Sequence, residues 1–169
     1  MKISRRRIFF RIFISAAVFA AAALCFFEAA FSSEATQEGV VGRVIDGDTF
    51  DLDTGERIRL IGINSPEYQP WRNEAQFFGK EAADYARKIL SGKKIRLESD
   101  IEAKDKYGRT LAYAYLEDGQ FVNGLLVQEG YAKARDYPPN NRHLEDLNRA
   151  QKRAQKNKKG LWARPAGLS

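Results

Sequence analysis

Val40-Val41-Gly42-Arg43-Val44-Ile45-Asp46-Gly47-Asp48-Thr49-Phe50-Asp51-Leu52-Asp53-Thr54-Gly55-Glu56-Arg57-Ile58-Arg59-Leu60-Ile61-Gly62-Ile63 decides the fold, because it holds three apolar runs punctuated by two turn signals. Val40–Ile45, Thr49–Leu52 and Arg57–Ile63 are rich in β-branched and large apolar residues, which suit a pleated, half-buried surface. Asp46-Gly47-Asp48 and Asp53-Thr54-Gly55 separate them. Asp bonds its own backbone nearby and Gly tolerates left-handed backbone, so both favour tight turns. Three short strands joined this closely form an antiparallel meander. Residues 34–39 ahead of them read as a polar lead.

Toward the C-terminus, Pro66 in Asn64-Ser65-Pro66-Glu67 ends the third strand, since proline cannot donate to a ladder. A polar loop runs to about Gln76. Phe78, Ala82, Tyr85 and Ile89 recur at helical spacing, and Gly92 closes that segment. Lys94–Glu98 and Leu111–Leu116 read as the fourth and fifth strands, with the charged loop Glu102–Arg109 between them. Val122–Glu129 is a short helix closed by Gly130, and Pro138-Pro139-Asn140-Asn141 is a rigid loop with Asn141 as the expected N-cap. Leu144, Leu147, Gln151 and Ala154 mark the buried face of a last helix, and Trp162 is expected to pack back on the body. The fold class is α+β, mainly β. Five short strands with a helix inserted after the third fit a five-stranded Greek-key barrel of the OB type with three helices.

Toward the N-terminus the composition changes. Lys2, Arg5, Arg6, Arg7 and Arg11 precede an apolar stretch from Ile12 to Phe27, and small residues follow at Ala29, Ala30, Ser32 and Ser33. That order is a secretory signal peptide over residues 1–33. The competing reading is an uncleaved anchor, although residues 12–27 fall short of the roughly 20 residues that span a bilayer comfortably. The mature domain then covers residues 40–162, with 163–169 as a short tail. The expected location is secreted, periplasmic or cell-envelope, with contact to a membrane only through a retained N-terminus.

The charge divides at the same boundary. The whole chain is +6; residues 1–33 carry five basic groups and Glu28, or +4, which leaves about +2 for the rest. The high isoelectric point therefore does not indicate a nucleic-acid-coating surface. Lys152, Arg153, Lys156, Lys158 and Lys159 read as a solvated helix face. Cys25 is the single cysteine and lies in the leader, which excludes thiol nucleophiles, disulfides and cysteine zinc sites from the mature domain.

The loops concentrate polar chemistry. Asp48 sits beside the first turn, Arg59 on the third strand, Asn64 and Glu67 around Pro66, and Arg109 after Asp105-Lys106-Tyr107-Gly108. A hard divalent cation takes oxygen ligands. Phosphoryl chemistry needs positive charge on the equatorial oxygens. Hydrolysis needs a base that orients water. Singly, each motif has an ordinary structural explanation: Asp-Gly-Asp-Thr as hairpin chemistry, Arg59 as an ion-pair partner, the Asp105–Arg109 run as a charged turn. His143, the only histidine, reads as a surface or capping residue. Phe77, Phe78, Tyr85 and Tyr113 read as core, and Lys104 and Lys106 as solvated loop lysines near the cleft.

Taken in order, Val44-Ile45-Asp46-Gly47-Asp48-Thr49, Arg59-Leu60-Ile61-Gly62-Ile63-Asn64-Ser65-Pro66-Glu67 and Asp105-Lys106-Tyr107-Gly108-Arg109-Thr110-Leu111-Ala112-Tyr113 resemble the staphylococcal nuclease family. Val122-Asn123, Gly130-Tyr131-Ala132-Lys133 and Pro139-Asn140-Asn141 extend the resemblance over about residues 40–162. It implies an OB-fold barrel with three helices and a Ca²⁺-dependent endonuclease that hydrolyses DNA and RNA and leaves 3′-phosphates. It implies Asp48 as a metal ligand, Ser65 as a ligand through its backbone carbonyl, and Glu67 as the base on the attacking water. Arg59 and Arg109 match the guanidiniums on the scissile phosphate, a role lysine fills poorly because it lacks the planar fork. Tyr137 matches one of the family's nucleotide-contacting tyrosines, and Lys106, near the cleft, is a further substrate-binding candidate.

Two positions depart from the family pattern. Asn64 stands where the family has a metal-binding aspartate and offers an oxygen without a charge, which leaves room for a divalent ion other than Ca²⁺. Arg135 replaces one of two tyrosines near the nucleotide. The partner expected is DNA, RNA or both; no protein partner is implied, and a monomer is expected. The alternative class is a non-catalytic OB-fold nucleic-acid-binding module, which the survival of Arg59, Glu67 and Arg109 disfavours and Asn64 favours.

Overall fold

The computed structural model describes residues 36–69 and 74–163. In chain order the elements are β1 (Thr36–Val44), β2 (Thr49–Leu52), β3 (Arg57–Leu60), β4 (Ile63–Asn64), β5 (Tyr68–Gln69) and β6 (Glu74–Ala75). There follow α1 (Gly79–Leu90), β7 (Lys94–Glu98), β8 (Thr110–Leu116), α2 (Val122–Gln128), β9 (Lys133–Ala134), α3 (Leu144–Lys156) and a 3₁₀ turn (Gly160–Ala163). The expected signal peptide, Cys25 and the tail beyond Ala163 lie outside the described residues. Among the described residues no helix is long and apolar enough to cross a membrane.

Five strands close into a barrel in the order β1-β2-β3-β8-β7, which with three α-helices is the expected OB-type α+β architecture. β1 closes it. Its first half pairs with β7 from Thr36 opposite Glu98 to Val40 opposite Lys94, and its second half pairs with β2. The register slips between Val41 and Arg43. A bulge bends and twists a strand, which lets one strand serve two neighbours and leaves no bare edge. The strand therefore begins at Thr36, and the polar lead expected over residues 34–39 is mostly strand. Its pairing with β7 is a tertiary event that local composition does not carry.

The third strand is shorter than expected. β3 stops at Leu60, and Gly62 turns the chain with φ +75°. A side chain at Gly62 would also lie 2.6 Å from Leu147 Cδ1, so both backbone and space demand glycine. Beyond the kink, β4 leaves the barrel wall to pair with β9, Ile63 opposite Ala134. The kink swings Asn64, Ser65 and Glu67 away from the sheet.

The main core cluster surrounds Phe50, Ile58, Leu60, Ile63, Ile95, Leu126 and Leu147, all buried, and a smaller one holds Ile61, Leu111 and Tyr113. α1 lays Ala82, Ala83, Ala86 and Leu90 inward, with Tyr85 and Ile89 half-buried. Phe78 is the left-handed cap of α1, not its first buried turn. Glu81 in its first turn and Arg87 and Lys88 in its last complement the helix dipole. Of the aromatics expected inside, Tyr113 is fully buried, Phe78 and Tyr85 stack on Tyr131, and Phe77 is 58% exposed. Asn141 does not cap α3. His143 holds that position, and Asn141 Oδ1 accepts instead from Tyr137 N–H at 3.3 Å. His143 packs its ring against Tyr113 and Phe121 rather than facing water alone. Trp162 is half-buried with Lys133 Nζ 5.8 Å from its ring.

Candidate active site

Asp48 is the centre of the site. It follows the tight turn between β1 and β2, where the Asp46 side chain accepts from Asp48 N–H at 3.0 Å. This Asx turn aims the Asp48 carboxylate across the barrel mouth. Asp48 is 5% exposed, and its Oδ2 takes the Ser65 N–H at 2.6 Å and the Arg59 guanidinium at 3.1 Å. Its Oδ1 takes the Thr49 hydroxyl at 3.0 Å. A buried carboxylate needs such partners, because leaving its charge unpaired in a low-dielectric setting is costly.

Arg59 is positioned by the same pairing that builds the sheet. β3 lies antiparallel to β2, with Thr49 opposite Arg59. Its Nη1 donates to the carbonyls of Leu60 and Ile63 at 2.7 and 3.0 Å, and its Nη2 reaches Asn64 Oδ1 at 3.4 Å. Arg135, brought in by its own N–H bond to the Gly62 carbonyl, reaches the same amide oxygen at 3.4 Å. Asn64 Nδ2 donates to the Ser65 carbonyl at 3.4 Å. Asn64 thus presents its oxygen to two guanidiniums. The neutral residue fits a place where positive charge already converges.

Glu67 is exposed on the loop after β4. Its carbonyl accepts from Gln76 N–H at 3.1 Å, and its N–H donates to Gln76 Oε1 at 3.2 Å. Gly79 lies so close to that carbonyl that any side chain there would collide with it. The first turn of α1 thereby sets where Glu67 stands.

Asp46 was expected only to turn the chain, yet it belongs to the site. Burial, with the negative charges of Asp48 and Glu67, pushes its carboxyl up to about 7, against the lowering effect of its bond from Asp48 N–H. Asp46 therefore sits within reach of two other carboxylates. Ser65 Oγ is buried with no hydrogen-bond partner. Crowded negative charge beside an unsatisfied oxygen is the condition a hard cation relieves. The donors present, Asp46, Asp48 and the Ser65 carbonyl, fit such an ion. Among the described residues no group of three or more His, Cys, Asp or Glu side chains is placed to hold a metal ion, so a backbone carbonyl and water would have to supply the remaining oxygens. The signal for Asp46 was available in the sequence: Asp46 and Asp48 flank one glycine and share a turn.

Arg109 is not hydrogen-bonded or ion-paired to this group among the described residues. It lies one strand over, just before β8, whose Leu111 pairs with Arg59 in parallel. Its Nε donates to Asp105 Oδ2 at 2.7 Å, while Asp105 Oδ1 accepts from the N–H groups of Tyr107 and Arg109 at 2.9 and 3.0 Å. That turn holds the guanidinium on an exposed loop. Lys106 Nζ lies 5.0 Å from the Tyr107 ring. Tyr137 is half-buried against Ile61, Leu111 and Tyr113, at the rim of the barrel.

Comparison of the sequence with known proteins identifies a family. Residues 57–164 match the model of the staphylococcal nuclease homologues. The chain is 46% identical over 128 residues to a thermonuclease of Staphylococcus intermedius, covering 74% of this chain and 76% of that protein. It is 43% identical over 141 residues to a thermonuclease of Staphylococcus hyicus, covering 82% and 83%. It is 38% identical over 143 residues to endonuclease YhcR of Bacillus subtilis, covering 78% of this chain and 12% of that much longer protein.

Proposed function

The chain belongs to the staphylococcal nuclease family and is a nuclease acting on nucleic acid, and from that premise we propose that it is an exported, Ca²⁺-dependent endonuclease that cuts DNA, RNA or both to leave 3′-phosphates. The observation that carries this reading is the Asp48 node. One buried carboxylate is held at 2.6 Å by Ser65 N–H and at 3.1 Å by Arg59, beside the crowded Asp46.

Asp48 and the Ser65 carbonyl would hold the metal, with Asn64 assisting and Asp46 beside them. When bound, the ion supplies positive charge that polarises a phosphate oxygen and a water. Glu67 would orient the attacking water and take its proton, in line with the leaving 5′-oxygen, which takes a proton from solvent at the open rim. Arg109 would fork onto the equatorial phosphate oxygens with its two Nη groups, and Arg59, whose Nη donors are engaged, would add its charge and Nε, where charge grows in the pentacovalent transition state. Arg135, Lys106 and Tyr137 grip the flanking nucleotide. A base must be reached on a flexible strand at an open barrel rim, so single-stranded or fraying nucleic acid is the preferred substrate. Export follows from the charged, apolar and small-residue order of residues 1–33.

The test is incubation of the mature domain with plasmid DNA and with RNA, in Ca²⁺ and then in chelator. The expected result is Ca²⁺-dependent fragments whose 3′ ends resist polymerase extension until treated with phosphatase. No cleavage under any divalent ion would leave a binding module. Cleavage with directly extendable ends would overturn the 3′-phosphate assignment. Localisation is checked by fractionation of the full chain, with activity expected outside the cytoplasm.

A further inference from the structure

We propose that Arg57 is a third phosphate-binding guanidinium, which grips the substrate strand beyond the scissile bond across the open cavity beside Arg109. The inference rests on the nuclease reading above and names a part of the substrate that the reaction centre itself does not touch.

The cavity, about 440 Å³, is lined by Gly55, Arg57, Tyr107, Gly108 and Arg109. Two of these five are guanidiniums, and the two glycines add no side chain to fill it. Arg57 lies two residues before Arg59 on β3. Alternation puts both on one face of the strand, with their Cα atoms roughly 6.6 Å apart. The order along that face is Arg59 at the buried reaction centre, then Arg57 in the cavity, with Arg109 across from it.

Arg57 is held ready for an anion. Its Nε and Nη2 donate to Asp51 Oδ1 and Oδ2 at 2.7 and 3.1 Å. That fork fixes the plane of the guanidinium and leaves Nη1 without a partner among the described residues. Arg109 is similar: its Nε is fixed by Asp105, and neither Nη has a partner among the described residues. Two planar cations, each clamped along one edge and bare along the other, face one polar hollow. With Arg109 on the scissile phosphate, the bare edge of Arg57 across the hollow suits the oxygens of the next phosphate better than a free lysine would. Tyr107 supplies what a nucleotide adds to a phosphate. Its ring is 73% exposed, packs in no core cluster, and lies 5.6 Å from Arg109 Cζ. An aromatic face kept in water beside cations is a stacking platform for a base.

A purely structural role for Arg57 is the rival explanation, because Asp51 also ties it to the sheet. Arg43 bonds the same Asp51 at 2.9 Å but does not line the cavity. Arg43→Ala is therefore the matched control. Binding of the full chain to an end-labelled single-stranded octanucleotide is read by fluorescence anisotropy in chelator, so that no cleavage intervenes. Arg57→Ala is expected to weaken binding about tenfold and to lower the slope of log affinity against log salt by about 0.7, the loss of one phosphate contact on a single strand. Arg57→Lys should recover the slope but only part of the affinity, and Arg43→Ala should stay within about twofold of wild type. Unchanged binding by Arg57→Ala, or equal loss in Arg57→Ala and Arg43→Ala, overturns the proposal. With Ca²⁺ present, the KM for the octanucleotide should carry the Arg57→Ala effect more than kcat does. A wild-type chain that binds but never cuts refutes the catalytic reading alone. One that cuts while Arg57→Ala binds as wild type refutes this subsite alone.

Discussion

The two arginines assigned to the scissile phosphate sit in opposite surroundings. Arg59 is 8% exposed and spends its donors on Asp48, Asn64 and two backbone carbonyls. Arg109 stands on a loop, 28% exposed at its side chain, with Asp105 as its one ion-pair partner among the described residues. The barrel builds the first half of the site, and an Asx-type turn builds the second. A charge that also completes a buried network cannot be removed without disturbing the fold, whereas a charge on a self-contained loop can. Function and stability are therefore coupled at Arg59 and separable at Arg109.

Arg59→Ala is the strongest way to break the comparison. It leaves the buried Asp48 without its cation, which costs about 3–5 kcal/mol of stability, and it removes a phosphate ligand. Turnover should fall by roughly 10³–10⁵, the range for a transition-state arginine, together with a clear drop in Tm by calorimetry. Retained Tm would show that the Asp48 node is not structural. Arg109→Ala should lose about as much turnover with Tm within about 4 °C of wild type, because its guanidinium is 28% exposed and Asp105, though 5% exposed, keeps the Tyr107 and residue-109 backbone N–H bonds. An unchanged rate in that variant would end its catalytic assignment.

The same contrast explains what could be read from the sequence. The meander was legible because Val40–Leu60 alternates turn chemistry with β-branched runs. The Asp105–Arg109 turn was legible because its bonds are local, from Asp105 to residues within four positions. Contacts made at long range were not. Pairing of Thr36–Val40 with β7 carries no composition signal, so the polar lead hid a strand. Asn141 matched the N-cap preference, but its side chain was taken by Tyr137 N–H across the loop. Asp46 looked like ordinary turn chemistry because its significance depends on Glu67 and Asp48 folding back toward it. The family pattern singled out Asp48, Arg59 and Arg109 as candidates without revealing that Asp48 and Arg59 pair in the interior while Arg109 stands partly exposed.

Asn64→Asp sharpens the comparison from the metal side. It restores a negative charge next to Asp48, and a unit charge pair at 4 Å is worth about 4 kcal/mol at an effective dielectric near 20. Most of that is offset, because Arg59 and Arg135 already lie 3.4 Å from the Asn64 oxygen and would pair with the new carboxylate. The expected gain is about tenfold in the Ca²⁺ concentration that half-saturates activity, measured by titration with wild type alongside. A weaker requirement for Ca²⁺ in wild type than in the variant would show that the neutral amide is not the limiting ligand.

The smallest effect is expected farthest from the buried node. The Arg57 bond, then the Arg43 bond, hold the Asp51 carboxyl below its ordinary value of 3.8. A carboxylate whose folded value is depressed contributes stability above its unfolded value and loses it as pH falls through the folded one. Asp51→Asn should therefore cost about 0.5 kcal/mol near neutrality, as its arginine partners are 46% and 70% exposed at their side chains. The difference from wild type should shrink as pH drops below 3.8 and vanish in acid. Urea titrations at pH 7 and pH 3 measure both points. A larger loss that persists in acid would mean that Asp51 supports the β2–β3 pairing itself, and that the outer arginines are as tightly built into the barrel as Arg59.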